Sequence, residues 1–144
     1  MPALAGATNT YNFEGFDPAS LSGGPVLIHF WAVSCHICHE VMPDLIAYRD
    51  QYRERGLKVV GIHMPKEEAD LDLAKVEKDM ATYGISHPVM VDNTHALTEA
   101  FQNQFVPAFF LFDASGNLYF RAAGDKGLQN LGPKLEQLFG AANA

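Results

Sequence analysis

The chain has 144 residues, 48% hydrophobic and 19% charged, with a formal net charge of −7. That length suits one domain whose core needs no metal or disulfide staple, and the composition excludes an extended disordered chain. The acidic balance excludes a phosphate-binding surface and with it nucleic acid as a partner, and no apolar run approaches the ~20 residues that cross a bilayer.

Residues 1–24 carry Gly6, Asn9, Asn12, Gly15, Pro18, Ser20 and the Ser22-Gly-Gly24 cluster, and read as a loop-rich arm with room for a short strand or turn. The core, 25–140, opens with an apolar strand over 25–32. A helix over 36–54 follows, because Ile37, Val41, Leu45, Tyr48 and Tyr52 recur at three- to four-residue spacing, and Gly56 ends it. Leu57 to Met64, apolar but for Lys58 and His63, reads as a second strand of the kind expected when both faces of a parallel sheet are covered. After Pro65 an acidic connector leads to a helix with the stripe Leu73, Val76, Met80 and Tyr83, closed by Gly84. Pro88 to Asp92 predicts a short strand, and Thr94 to Gln102 a short helix with Leu97 and Phe101 inward. Ala108 to Asp113 starts a hairpin over 108–123 through the turn Asp113-Ala-Ser-Gly-Asn117, and Leu128, Leu131, Leu135 and Leu138 mark a last helix over 128–139. The order β-α-β-α-β-α-β-β-α predicts one α/β domain: parallel pairs through right-handed crossovers, an antiparallel hairpin, and helices on both faces of a central mixed sheet.

The two cysteines, Cys35 and Cys38, sit two residues apart where the first strand gives way to a helix. At a helix N-terminus, unpaired N–H groups and the positive end of the dipole favour thiolate over thiol. One turn brings the second sulfur beside the first, so Cys35 attacks a disulfide and Cys38 resolves the mixed disulfide. Both cysteines belong to one motif, which leaves none for a structural bridge and suits a reducing compartment. Met1 to Thr10 lacks a basic segment followed by an apolar one, so the expected location is cytoplasmic, with no membrane partner.

Phe30-Trp-Ala-x-x-Cys35-x-x-Cys38, Val106-Pro107 before a strand and Gly124 after the hairpin together resemble the thioredoxin superfamily. Pro43 resembles the proline that kinks the thioredoxin active-site helix, and residues 66–92 resemble the extra helix and strand of the TlpA/ResA-like branch. Ile28-His-Phe-Trp31, Ser34-Cys-His-Ile-Cys38, His63-Met-Pro65, Asp70-Leu-Asp72, His95-Ala-Leu97, Phe105-Val-Pro-Ala108 and Phe112-Asp113 resemble the YkuV-type thiol-disulfide oxidoreductases of that branch. The resemblance implies a thioredoxin-like fold with an insertion at 66–92. It also implies a bacterial cytosolic oxidoreductase that needs no cofactor beyond its own redox-active Cys35–Cys38 disulfide. By the same resemblance Val106–Pro107 is a cis peptide, with the Pro107 ring against the sulfurs and the Val106 backbone free to pair with an extended client strand.

Departures from the relatives bear on the proton of Cys38. The thioredoxin aspartate six residues before the first cysteine is replaced by His29, and its companion lysine aligns with Gly61. Where ResA-like proteins have glutamate three residues after the second cysteine this chain has Val41, with Glu40 one residue early on another helical face. His29 in an apolar setting stays neutral and either accepts the Cys38 proton or is a hydrogen-bonded core residue. His36, next to the nucleophile, either stabilises the Cys35 thiolate by its charge or is an exposed first-turn residue. Trp31 packs beneath the dithiol, its N–H on a polar partner. The rival functions are a Zn²⁺ or Cu⁺ carrier using Cys35, Cys38 and either His36 or His39, and a thiol peroxidase, against which Val33 and Ser34 stand where such enzymes poise other groups. The expected partners are disulfide-containing client proteins and a thiol reductant that restores the dithiol, with the chain acting as a monomer.

Overall fold

The computed structural model describes residues 1–142 apart from Ser20 and Ser22, with the backbone alone for Ala141 and Ala142; two of the turn-forming residues expected in the arm therefore lie outside the described residues. In chain order the elements are β1 Asn9–Tyr11, β2 Val26–Trp31, α1 His36–Arg53, β3 Lys58–His63, a 3-10 turn Glu68–Leu71, α2 Leu73–Tyr83, β4 Val89–Val91, α3 Ala96–Ala100, β5 Ala108–Phe112, β6 Leu118–Ala123 and α4 Gly124–Ala142. The strands make one mixed sheet in the order β1-β4-β3-β2-β5-β6. β2, β3 and β4 run parallel, and β5, β6 and β1 each run antiparallel to their neighbours. This is the thioredoxin-like α/β fold expected, with the added helix and strand between β3 and β5.

All six residues of β2 are buried, which is why it reads as an apolar run broken only by His29: its alternate side chains serve two cores. Leu27 and Trp31 join Val59, Phe109 and Leu111 under α1, α2 and α4, where Met42, Leu45, Val76, Leu131 and Leu135 close the layer. Ile28 and Phe30 join Ile62 and Phe110 on the opposite face, covered by Leu97 and Phe101 around α3 and by Leu4 of the arm. The odd-numbered residues of β2, His29 among them, thus point toward the same layer as Cys38.

Two helices differ from the sequence expectation by more than one residue. α4 begins at Gly124 and not at residue 128, because its first turn, Gly124 to Gly127, carries no apolar residue for periodicity to register. α3 is shorter than 94–102: the Asp92 carboxylate accepts from Leu97 N, Thr98 N and Thr98 Oγ1 at 2.6 to 2.9 Å, so the side chain closing β4 caps the helix and sets its start.

Candidate active site

Cys35 is the N-cap of α1, in extended backbone (φ −92°, ψ 106°), and its Sγ accepts from Cys38 N at 3.1 Å. The two cysteines form a disulfide with Cα atoms 5.2 Å apart, inside the range such bridges span. Cys35 is half-buried, whereas Cys38 has no exposed surface. The sulfur reachable from outside is therefore the one at the helix terminus. A cavity of about 540 Å³ between the first residues of the arm and the Asp113–Gly116 turn lies at the far end of β2 and β5 from the dithiol.

The stretch after β2 is pinned from below by β3 and by the inserted segment. Val33 N donates to His63 Nε2 at 3.1 Å. Ser34 Oγ donates to Asp70 Oδ2 at 2.7 Å, and that oxygen also accepts from Lys66 N and Glu67 N. Asp79 Oδ2 accepts the Trp31 indole N–H at 3.2 Å and lies 2.8 Å from His39 Nε2, while the His39 ring stacks on Tyr83. Because Nε2 of His63 accepts, its hydrogen is on Nδ1. That atom and Asp70 Oδ1 are buried without a partner among the described residues. Burial pushes His63 down to about 4, against the pull of Asp70 and Asp79.

His29 is buried, stacks on Trp31, and extends sideways over β3 to His87, with the two Nε2 atoms 2.7 Å apart. The strand beneath must be glycine for this. A Cβ on Gly61, the register partner of His29, would stand 2.8 Å from His29 Nε2. His87 Nδ1 in turn lies 3.3 Å from Arg49 Nη1. Burial, with Arg49 adding to it, pushes His29 down to about 3, and burial with His29 and Arg49 pushes His87 well below its usual value, so both rings are neutral. No hydrogen bond joins His29 to either sulfur among the described residues.

His36 is exposed and its Nε2 lies 2.8 Å from Glu40 Oε1, one turn on, while Val41 is buried. With His39 on Asp79, both imidazoles that a metal carrier would recruit face carboxylates. Among the described residues no group of three or more His, Cys, Asp or Glu is placed to hold a metal ion. Val106–Pro107 is a cis peptide. Pro107 is buried and its carbonyl accepts from Gly124 N at 2.9 Å, which ties the loop to the start of α4. Val106 is half-buried against the same core as Cys35, and its N–H and C=O have no partner among the described residues. Two apolar side chains flank this end of the sheet, Phe105 at 61% exposed and Ile37 at 44%.

Residues 2–121 match the AhpC/TSA family. The chain belongs to the AhpC/TSA thioredoxin-like family. It is 41% identical over 138 residues to the thiol-disulfide oxidoreductase YkuV of Bacillus subtilis, which spans 96% of this chain and 93% of that protein. The solution structure of a thioredoxin-like protein in its oxidised form matches at a TM-score of 0.88 and 41% identity, over 98% of this chain and 95% of that one. The thioredoxin-like superfamily protein SPOA0173 matches at a TM-score of 0.79 and 24% identity, over 97% of each chain, and shares the fold. With a disulfide closed between Cys35 and Cys38, this family member is a thiol-disulfide oxidoreductase.

Asp70, Asp79, His87 and Arg49 were not singled out by sequence reasoning. Asp70 and His63 stood inside short matches to relatives, without a role. Asp79 and Arg49 are polar positions on helices whose apolar stripes alone were read, and only the tertiary fold brings them to the site.

Proposed function

We propose that the protein reduces disulfides of client proteins. The observation that carries this is the asymmetric pair, a half-buried sulfur at a helix N-terminus bonded to a fully buried one. In the reduced protein the Cys35 thiolate attacks one sulfur of the client disulfide. The other client sulfur leaves with the bond's electron pair, and a mixed disulfide forms. Cys38 then loses its proton and attacks Cys35 Sγ, expelling the second client sulfur. The client has gained two electrons, and Cys35–Cys38 is oxidised. A dithiol donor restores the pair by the reverse exchange. The unpartnered Val106 backbone supports docking of an extended client strand, with Ile37 and Phe105 exposed beside it and the buried Pro107 and Trp31 supporting the site from within. His29 assists the resolving step and His36 favours the Cys35 thiolate. The chain acts as a monomer without an organic cofactor, and its reducing, cytoplasmic setting is supported by the lack of a second cysteine pair in this sequence.

Insulin reduction by dithiothreitol, followed as turbidity, tests the reading. The protein should shorten the lag and Cys35→Ser should not. Turbidity unchanged by the wild type, together with consumption of hydrogen peroxide at the expense of dithiothreitol, would replace the reading with a peroxidase.

A further inference from the structure

The chain Arg49–His87–His29 has a fixed hydrogen-bond direction. A guanidinium has donors and no acceptor, so at the 3.3 Å contact Arg49 Nη1 donates and His87 Nδ1 accepts. A neutral imidazole whose Nδ1 accepts carries its hydrogen on Nε2. His87 therefore donates across the 2.7 Å contact, and His29 Nε2 accepts. That leaves the hydrogen of His29 on Nδ1. Arg49 is not free to turn away, since its Nη1 also donates to Gly84 O at 3.0 Å and its Nε to Asp50 Oδ1 at 3.0 Å, an oxygen shared with Arg53.

We propose that Arg49 and His87 are positioning residues that hold His29 as its Nδ1–H tautomer, and that His29 serves the resolving step as a hydrogen-bond donor to the Cys38 sulfur, not as its base. The proposal rests on the thiol-disulfide exchange above and assigns His29 its direction. The Nε2 lone pair is occupied, so taking up a proton there breaks the bond to His87 and sets an imidazolium in a dry site facing Arg49, with Arg53 behind it. Burial already holds His29 down at about 3, far from the thiol it would have to deprotonate. A donor needs no such change. In balance, the Cys38 proton passes to the client thiolate expelled by the first attack, which becomes a thiol. The Cys38 sulfur then bonds to Cys35 Sγ, and His29 keeps its hydrogen throughout. Gly61 completes the arrangement by leaving the ring its path to His87. Where thioredoxin buries an acid and a lysine, this chain buries a neutral pair of rings with a fixed polarity.

Two measurements on the full chain decide it. In long-range ¹H–¹⁵N spectra of the ¹⁵N-labelled protein at neutral pH, the unprotonated nitrogens should be Nε2 of His29 and Nδ1 of His87. Arg49→Gln, whose amide can donate or accept, should leave His87 a mixture of tautomers. A hydrogen on His29 Nε2 in the wild type, or a His87 indifferent to Arg49→Gln, would overturn the proposal. The second measurement is decay of a preformed mixed disulfide on Cys35. His29→Asn places an amide N–H where Nδ1–H stood and should resolve at close to the wild-type rate, whereas His29→Leu should be slower by about tenfold or more, the loss of a hydrogen bond to a developing charge. Equal slowing of both variants would mean a base, and slowing of neither would mean a core residue. If the wild type formed no mixed disulfide, the exchange reading would fail while the tautomer result still stood. Should Leu at position 29 not fold, the spectra and the Asn variant carry the test.

Discussion

Gly61→Ala isolates the packing under His29. The backbone of Gly61 lies outside the left-handed region, so alanine can adopt it, and the substitution alone should stabilise by about 0.4–1 kcal/mol through the unfolded chain. Against this, the new Cβ would meet His29 Nε2 at 2.8 Å, His29 Cε1 at 3.2 Å and Trp31 Cζ3 at 3.2 Å, all in rings that are fully buried. Neither ring can yield freely, since Nε2 is bonded to His87 and the indole N–H to Asp79. Overpacking of this kind costs about 1–3 kcal/mol, and displacing His29 from His87 removes a buried hydrogen bond of about 1 kcal/mol. The repulsive side wins, and the net loss is about 1–3 kcal/mol, a fall in midpoint temperature of about 3 °C for each. Urea unfolding of wild type and variant, followed by circular dichroism, reads the sign. A variant as stable as the wild type, or more so, would refute the packing of His29 over β3.

Other outcomes follow from the same geometry. Cys35→Ser should abolish turnover, and limited alkylation of the reduced wild type should modify Cys35 well before Cys38; equal labelling would contradict the asymmetry. His29→Ala should slow release from the mixed disulfide more than its formation, measured by single-turnover mixing with a peptide disulfide at a temperature where the variant is folded. His29, His63 and His87 are neutral in the fold because burial pushes each below the ordinary histidine value, to about 3 for His29 and about 4 for His63. The unfolded chain therefore binds more protons once the pH falls below about 6.5. Their contribution to stability is complete above that pH and is lost on acidification, by roughly 1 kcal/mol per histidine per pH unit. Urea midpoints should drop between pH 6.5 and 5, where ordinary carboxylates are still ionised; a flat profile there would mean that these rings are solvated.

The fold was readable because its signals are local. The β2 run, the α1 stripe and the hairpin turn each announce one element, and the positions of Cys35 at a strand-to-helix junction and of Pro107 before β5 follow from them. The groups around the dithiol were less legible, since each bond spans a long stretch of chain. Trp31 meets Asp79 and Ser34 meets Asp70 only because the insertion folds back under the loop after β2. His29 stood out by its place before Cys35, yet nothing local points to His87, 58 residues away. Gly61 looked like the loss of a lysine. In the structure it is the space that the His29 ring occupies.

The most direct test of the exchange chemistry is to trap its intermediate. Reduced Cys38→Ser protein mixed with a peptide disulfide and measured by intact mass should carry one peptide half on Cys35, stable until dithiothreitol is added, while the wild type under the same conditions ends as its internal disulfide with the peptide reduced. An unmodified Cys38→Ser protein, or a wild type that leaves the peptide oxidised, would contradict attack by Cys35 and resolution by Cys38.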